Sequence, residues 1–406
     1  MRMTDAALHT AVHSLLQQNT RTHQQHTYTV PSPSSYPYQW LWDSCWHAII
    51  WSHFDTDRAA AELRALVAKQ HPNGLIGHIT YWDRGDILDI DWGLSDTSSL
   101  LQPPLLAYAL WRIYEQSQDT ALLAELYPAL QQFYGYILRT RDVRSIGLYG
   151  IVNPDESGED NAPRFDDALG LPAPYNAHDH LERRYRLFHR HRQCAFKPHC
   201  TAEYFWTEDL AFNTYLQWNL TVLADIATHL GKKKDANRWQ RSATDLKRSM
   251  RTKLFQNGTF HSLTGLVGVP TTDASWTQFL PLTTGLYSQS EAHRLVTTTL
   301  TDPDQFWLPH GLPTVAKSDP TYCPTEPEWG AAWQHPDWRG AAWIVPHWCV
   351  YHGLQRYGFA SEAATLREKS LQCIERHGFR ENYHPETGVG MGAEDFTWGG
   401  LVLDMQ

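Results

Sequence analysis

The sequence predicts an all-α protein, an (α/α)6 barrel: a toroid of helix pairs whose loops form the mouth of a site. Three observations predict it. Apolar residues recur at helical spacing in about a dozen segments. These segments come in pairs, with short turns inside a pair and long loops between pairs. Strand signals are few and short, the best being "LIGHITYW" and "GTFHSL". A helical solenoid is the competing architecture, but no repeat of fixed period is visible.

The elements follow in chain order. Asp55 is placed to cap "TDRAAAELRALVAKQ", whose apolar face is Ala59, Leu63, Leu66 and Val67. Pro103 and Pro104 open a stripe of Leu105, Leu106, Ala109, Leu110 and Ile113, since proline suits the first helical turn. After a short polar break come Leu122, Leu126, Leu130, Phe133 and Ile137. Further stripes run through Phe212, Leu216, Leu223 and Ile226, then Trp239, Leu246 and Met250. The last pair carries Ile344, Trp348 and Tyr351, followed by Ala363, Leu366 and Cys373. Barrels of paired elements run long as single domains, so the 406 residues are expected to form one catalytic domain, residues 1–406.

Composition narrows the function. The net charge is −10 and charged residues are 19%, spread along the chain, which argues against nucleic acid or an anionic membrane as partner. No apolar run approaches the ~18 residues of a membrane span. The opening "MRMTDAALHTAVHSLLQQNT" lacks the apolar core of a signal peptide, so a cytoplasmic protein is expected. Cys45, Cys194, Cys200, Cys323, Cys349 and Cys373 are scattered, with no CxxC pair, and are expected as reduced thiols.

The chain holds 18 Trp and 19 Tyr, many of them in the long loops beside acids and glycines. Sugar rings have apolar C–H faces and a rim of hydroxyls, so their sites need flat walls and a few fixed polar groups. In "QWLWDSCWH", Trp40 and Trp42 are candidate walls and Asp43 a candidate acceptor of two hydroxyls; the alternative is that Asp43 caps a helix among core tryptophans. "NPDESGEDNAPRFDD" sets Asp155, Glu156, Glu159, Asp160 and Asp166 on a Pro- and Gly-bearing loop able to aim a carboxylate inward. In "GVGMGAEDFTWGG", Gly388, Gly390 and Gly392 permit close approach to a ligand. Glu394 and Asp395 follow, with Asp395 free to cap the terminal helix. Two carboxylates from distant loops facing a sugar-sized pocket are what glycoside hydrolysis needs: one protonates the leaving oxygen, the other activates water or attacks carbon.

"YPYQWLWDSCWHAI", "TSSLLQPPLLAYAL", "DESGEDNAPRFD", "EDLAFN", "WRGAAWIVPHW" and "GAEDFTW" together resemble glycoside hydrolase family 63, above all its compact bacterial glucosylglycerate and mannosylglycerate hydrolases. The resemblance runs in order from about Tyr36 to the C-terminus. It implies an (α/α)6 barrel and an inverting mechanism on α-linked glucose or mannose, with no metal or other cofactor. By motif it implies Asp160 as general acid and Glu394 as general base. It also implies Asp43 holding sugar hydroxyls with Tyr36 and Trp40 beside it, and Gln102, Trp338 and Arg339 completing the pocket. Ala162 and Ala341 stand where the family pattern leads one to expect serine and proline.

The segment "RRYRLFHRHRQCAFK" carries Arg183, Arg184, Arg186, Arg190, Arg192 and Lys197 without an acid. Arginine forks bind carboxylates in bidentate fashion, so part of it suits a small anionic aglycone such as glycerate; a solvated basic helix face is the alternative. His178, His180, His189 and His191 lack metal-ligand spacing. The competing function is a sugar epimerase or polysaccharide lyase on the same barrel, with His78 and Tyr81 as bases; a non-catalytic sugar-binding module is the third.

Overall fold

Most of the helix pairs join a helix buried over most of its length to one that buries a single stripe. The computed structural model describes residues 4–82, 92–171, 177–325 and 337–406. Parts of the long loops at 77–96 and 321–340 therefore lie outside the described residues. Helices longer than ten residues are numbered here in chain order. After α1 (Asp5–Asn19), α2 (Leu41–Trp51) is buried along its whole length. It packs on α3 (Thr56–Ala68), whose inner stripe is Ala59, Ala60, Leu63 and Leu66. Asp55 caps α3 as expected, its Oδ1 accepting the N–H groups of Asp57 and Arg58 at 2.9 and 3.0 Å.

The next pairs are α4 (Leu106–Ser117) with α5 (Thr120–Thr140), then, after α6 (Ala177–Gln193), α7 (Leu210–His229) with α8 (Lys233–Lys253). The last is α9 (Ile344–Arg356) with α10 (Ala360–His377). The polar members follow from composition: α8 is almost wholly charged or polar outside Ala236, Trp239, Ala243, Leu246 and Met250. The buried members supply the core. Leu41, Trp46 and Ile49 of α2 have no exposed surface, and each such side chain contributes about 1.5–3 kcal/mol by leaving water.

Short strands sit in the loops between helices. β1 (Gln39–Trp40) pairs antiparallel with β2 (Ile79–Thr80), and β3 (Arg380–Tyr383) pairs antiparallel with β4 (Gly390–Glu394). Thr259–Phe260 and Leu263–Thr264 are the strands expected around "GTFHSL". Among the described residues, no helix is long and apolar enough to cross a membrane.

One expectation is overturned. Cys194 and Cys200 form a disulfide, with Cα atoms 5.5 Å apart, while Cys45, Cys323, Cys349 and Cys373 are free. Ala195 and Phe196 both adopt left-handed backbone, at φ 48° and 55°, and this turn folds the chain back at the end of α6. Two adjacent non-glycine residues in that region are uncommon, which is why spacing did not reveal the pair.

Candidate functional site

β1 leads directly into α2, so the first turn of that helix opens at the sheet edge. Trp40 is the N-cap and Asp43 lies within the first turn, which rules out Asp43 as the cap. Its side chain enters a cavity of about 290 Å³ formed by the loops. There its Oδ1 accepts the indole N–H of Trp398 at 2.8 Å. Burial pushes the Asp43 carboxyl up to about 6, with His47 and the Trp398 bond acting in the opposite direction. Trp42 lines the same cavity while its edge packs on Trp46, Tyr215 and Trp398. Gln102, also on the cavity wall, holds the helix start, its Oε1 accepting the Trp42 N–H at 2.9 Å.

Gly158 carries the acid-rich loop over this helix. Its φ is 72°, and a Cβ there would lie 2.5 Å from the Trp42 ring, so no other residue permits this close approach. Glu156, just before it, is the buried anchor. Arg141 grips it with both terminal nitrogens (2.5 and 2.6 Å), and it accepts the N–H groups of Leu101 and Val152 at 2.9 Å. Glu159 is likewise turned inward onto Arg164 and Trp276. Asp160 remains free of the protein interior: its side chain is 33% exposed and lines the cavity.

Asp155 also reaches the cavity. Arg184 of α6 bridges the two aspartates, with Nη2 at 2.5 Å from Asp155 and Nη1 at 2.9 Å from Asp160. Burial pushes the Asp155 carboxyl up to about 6, opposed by the Arg184 charge. Of the basic segment, Arg184 alone lines the cavity among the described residues. Arg186 turns to Glu182 on the helix surface, and Arg190 lies over the Tyr204 ring. The solvated-face reading thus holds for these two and fails for Arg184.

Two expected pocket residues lie elsewhere. Arg339 is buried against Asp166, with contacts of 2.5 and 3.1 Å, and does not line the cavity; it ties the "WRG" loop to the acid-rich loop. Its neighbour Trp338 does line the cavity, stacked on Trp343 with centroids 4.2 Å apart and planes at 8°. Glu394 points the other way. It pairs across the hairpin with Arg380, whose Nη1 contacts it at 2.5 Å, and its side chain is 75% exposed. Asp395 does not cap the terminal helix either; it accepts from Gln18.

The carboxylate that the hairpin sends inward is Glu381. Side chains alternate faces along a strand, so Arg380 and Glu394 share the outer face and Glu381 takes the inner one. Glu381 lines the cavity, is 5% exposed, and accepts the Tyr36 hydroxyl at 2.5 Å and the Ala393 N–H at 2.7 Å. Burial and the Glu381 charge raise Tyr36 well above the usual phenol range, so it stays a donor. Of the glycines of "GVGMG", Gly392 serves this contact: it sits at φ 64°, and a Cβ there would meet Glu381 Oε2 at 2.4 Å, while Gly388 and Gly390 make room for His310 and Arg380. These glycines were expected to admit a ligand; the close approaches they make are to protein side chains, Glu381 on the opposite strand among them.

His78 lines the cavity wall between Trp40 and Trp92 and exchanges a hydrogen bond with Ser98. Burial lowers it to about 3, with Arg184 adding to the effect, so it is a neutral spacer and a weak base. Tyr81 accepts the Trp92 indole N–H and does not line the cavity. Those positions give an epimerase no poised base.

The cavity therefore presents aromatic walls, inward carboxylates and one guanidinium among its described lining residues. A profile of the family "Mannosylglycerate hydrolase MGH1-like glycoside hydrolase domain" matches residues 36–399. The chain belongs to this family. It is a glycoside hydrolase, as its family membership shows. A mannosylglycerate hydrolase of Thermus thermophilus is 31% identical over 95% of this chain and 96% of its own length. A glucosylglycerate hydrolase of Mycolicibacterium hassiacum is 25% identical over 93% of this chain and 94% of its own. The crystal structure of a family 63 mannosylglycerate hydrolase from Thermus thermophilus, in complex with Tris and D-glycerate, superposes with a TM-score of 0.86. It is 30% identical and covers 98% of this chain and 99% of that one. A neutral trehalase of Saccharomyces cerevisiae shares the fold, with a TM-score of 0.62 at 14% identity over 94% of this chain and 73% of its own.

Proposed function

We propose that this glycoside hydrolase removes α-linked glucose or mannose from a glycerate aglycone with inversion, on an (α/α)6 toroid acting as one catalytic unit. The observation that carries the reading is the convergence of Asp160 and Glu381 from distant parts of the chain on an aromatic cavity that also holds Arg184. Asp160 is the general acid. Glu381, not Glu394, is the general base: only Glu381 lies in the cavity, where Tyr36 and the Ala393 N–H fix its orientation.

The sugar ring lies against Trp40, Trp42 and Trp338, and Asp43 accepts two of its hydroxyls. Gln102 keeps Asp43 in place through the backbone of Trp42. Glycerate lies toward α6, where Arg184 faces its carboxylate. In the reaction, Asp160 gives its proton to the glycosidic oxygen as the bond to the anomeric carbon breaks. Water attacks that carbon from the other side while Glu381 takes a proton from it. The cavity is at the small end of ligand pockets, which suits a sugar with a three-carbon aglycone better than a polysaccharide.

Proton NMR on glucosylglycerate and mannosylglycerate tests this in one tube. The expected first product is the β-anomer of the free sugar, with D-glycerate released in equal amount. An α-anomer as first product would overturn inversion and the role of Glu381. Cleavage of neutral α-glycosides with no turnover of either glycerate glycoside would overturn the aglycone.

A further inference from the structure

Asp155 and Asp160 share one guanidinium, and the aglycone proposed above adds a third carboxylate to it. Arg184 has two terminal nitrogens, one on each aspartate. Asp155 is held in place. It sits in the turn Pro154–Ser157, its N–H bonds Asn153 Oδ1 at 3.0 Å, and the adjacent Glu156 is clamped by Arg141. Asn153 in turn contacts His191 of α6, so the turn and the helix bearing Arg184 are docked to each other on one side of the cavity. Asp160 follows the left-handed Gly158 and is the more exposed partner.

We propose that Asp155 is a positioning residue on which Arg184 pivots, and that the aglycone carboxylate takes the Arg184 nitrogen held by Asp160. The inference rests on the glycerate reading. Arg184 Nη2 stays on Asp155 while Nη1 passes from Asp160 Oδ2 to the substrate. Among the described residues lining the cavity, the other titratable groups are Asp43, Asp337, Glu381, Tyr36, Tyr38 and His78, none of which supplies a second fixed cation. Three carboxylates on one guanidinium are not balanced, so Asp160 takes a proton from solvent as the aglycone binds. That proton then goes to the glycosidic oxygen, and the water proton goes to Glu381. Once it has given up its proton, Asp160 recovers Arg184 and displaces the glycerate. The substrate's own charge thereby sets the acid free, and charge selectivity is expressed in kcat as well as in KM.

The test uses the wild-type enzyme on a glycerate glycoside, the methyl α-glycoside of the same sugar, and the α-glycosyl fluoride. Fluoride needs no proton to leave, so its turnover reports a working base and sugar site. Expected is a kcat for the methyl glycoside at least about tenfold below that for the glycerate glycoside, the scale of losing acid catalysis. Added formate or acetate should raise the methyl glycoside rate, while chloride at equal ionic strength should not. Asp155→Asn should lower kcat on the glycerate glycoside by at least about tenfold. A carboxylate effect confined to KM, or added carboxylate acting only as an inhibitor, would overturn this proposal and leave the glycerate reading standing. Turnover of the fluoride without any of the glycerate glycoside would overturn both.

Discussion

Replacing Glu381 by Gln tests the assignment of the base most directly, with Glu394→Gln as its partner. Glu381 accepts two hydrogen bonds, at 2.5 and 2.7 Å, and is almost fully buried. Glutamine keeps one acceptor but turns an NH2 toward the other donor, which costs about 1–3 kcal/mol of stability. The loss of base catalysis is larger in its effect on rate, ~10²–10⁴ in kcat. That equals about 2.7–5.4 kcal/mol on the barrier. Glu394 is exposed, and its pair with Arg380 is worth about 0–1 kcal/mol. Its removal should leave turnover within about twofold of wild type. Initial rates by NMR, with circular dichroism to confirm folding, measure both. Azide adds a positive signal: in Glu381→Ala it needs no base, and should convert the α-glycoside into a β-glycosyl azide. A folded Glu381→Gln retaining more than about a tenth of wild-type kcat would refute the reasoning, as would a hundredfold loss in Glu394→Gln.

In its proposed role Asp43 accepts sugar hydroxyls as a carboxylate, and its value of about 6 then places an acid limb in kcat/KM near pH 6, steepening to about tenfold per unit below it. Because a carboxyl raised on folding stabilises the fold at low pH and loses that contribution as pH rises, this limb should appear without a matching fall in Tm; a limb centred near 4 would remove the role. Gly158→Ala should cost about 1–2 kcal/mol for its left-handed backbone. A further ~1–3 kcal/mol is expected from the 2.5 Å overlap with Trp42, with activity falling alongside; urea titration and kcat/KM check it. Arg339→Met leaves Asp166 without its bidentate partner, and should cost about 3–5 kcal/mol by the same titration; near-neutral stability would show that the pair does not tie the loops together.

The helix pairs were legible because periodicity reports burial on one face, and the cap at Asp55 because its chemistry is local. The place of Asp160 and Asp43 on the cavity wall was legible too, since each lies in a segment whose glycine or tryptophan neighbours are informative on their own. Glu381 was not. Which of two glutamates on a hairpin faces inward depends on register, and "RENYHPETGVGMGAE" does not display its pairing. The alternation of Arg380 and Glu381 was the available signal, once Glu394 was matched to Arg380. Arg339 was misplaced for a similar reason: a buried guanidinium reads the same whether its carboxylate belongs to a ligand or to Asp166. Arg184 was visible only as one of many basic residues, and helix orientation singled it out.

The indole that orients Asp43 lies 355 positions further along the chain. At translation rates of ~5–20 residues per second, roughly 20–70 s separate the synthesis of the two. A nascent chain can hold α2 to α5 paired and still have no fixed hydroxyl acceptor. With Asp43 in its proposed role, sugar affinity is then among the last properties this enzyme acquires, and a ribosome-bound intermediate would be helical long before it could compete for substrate.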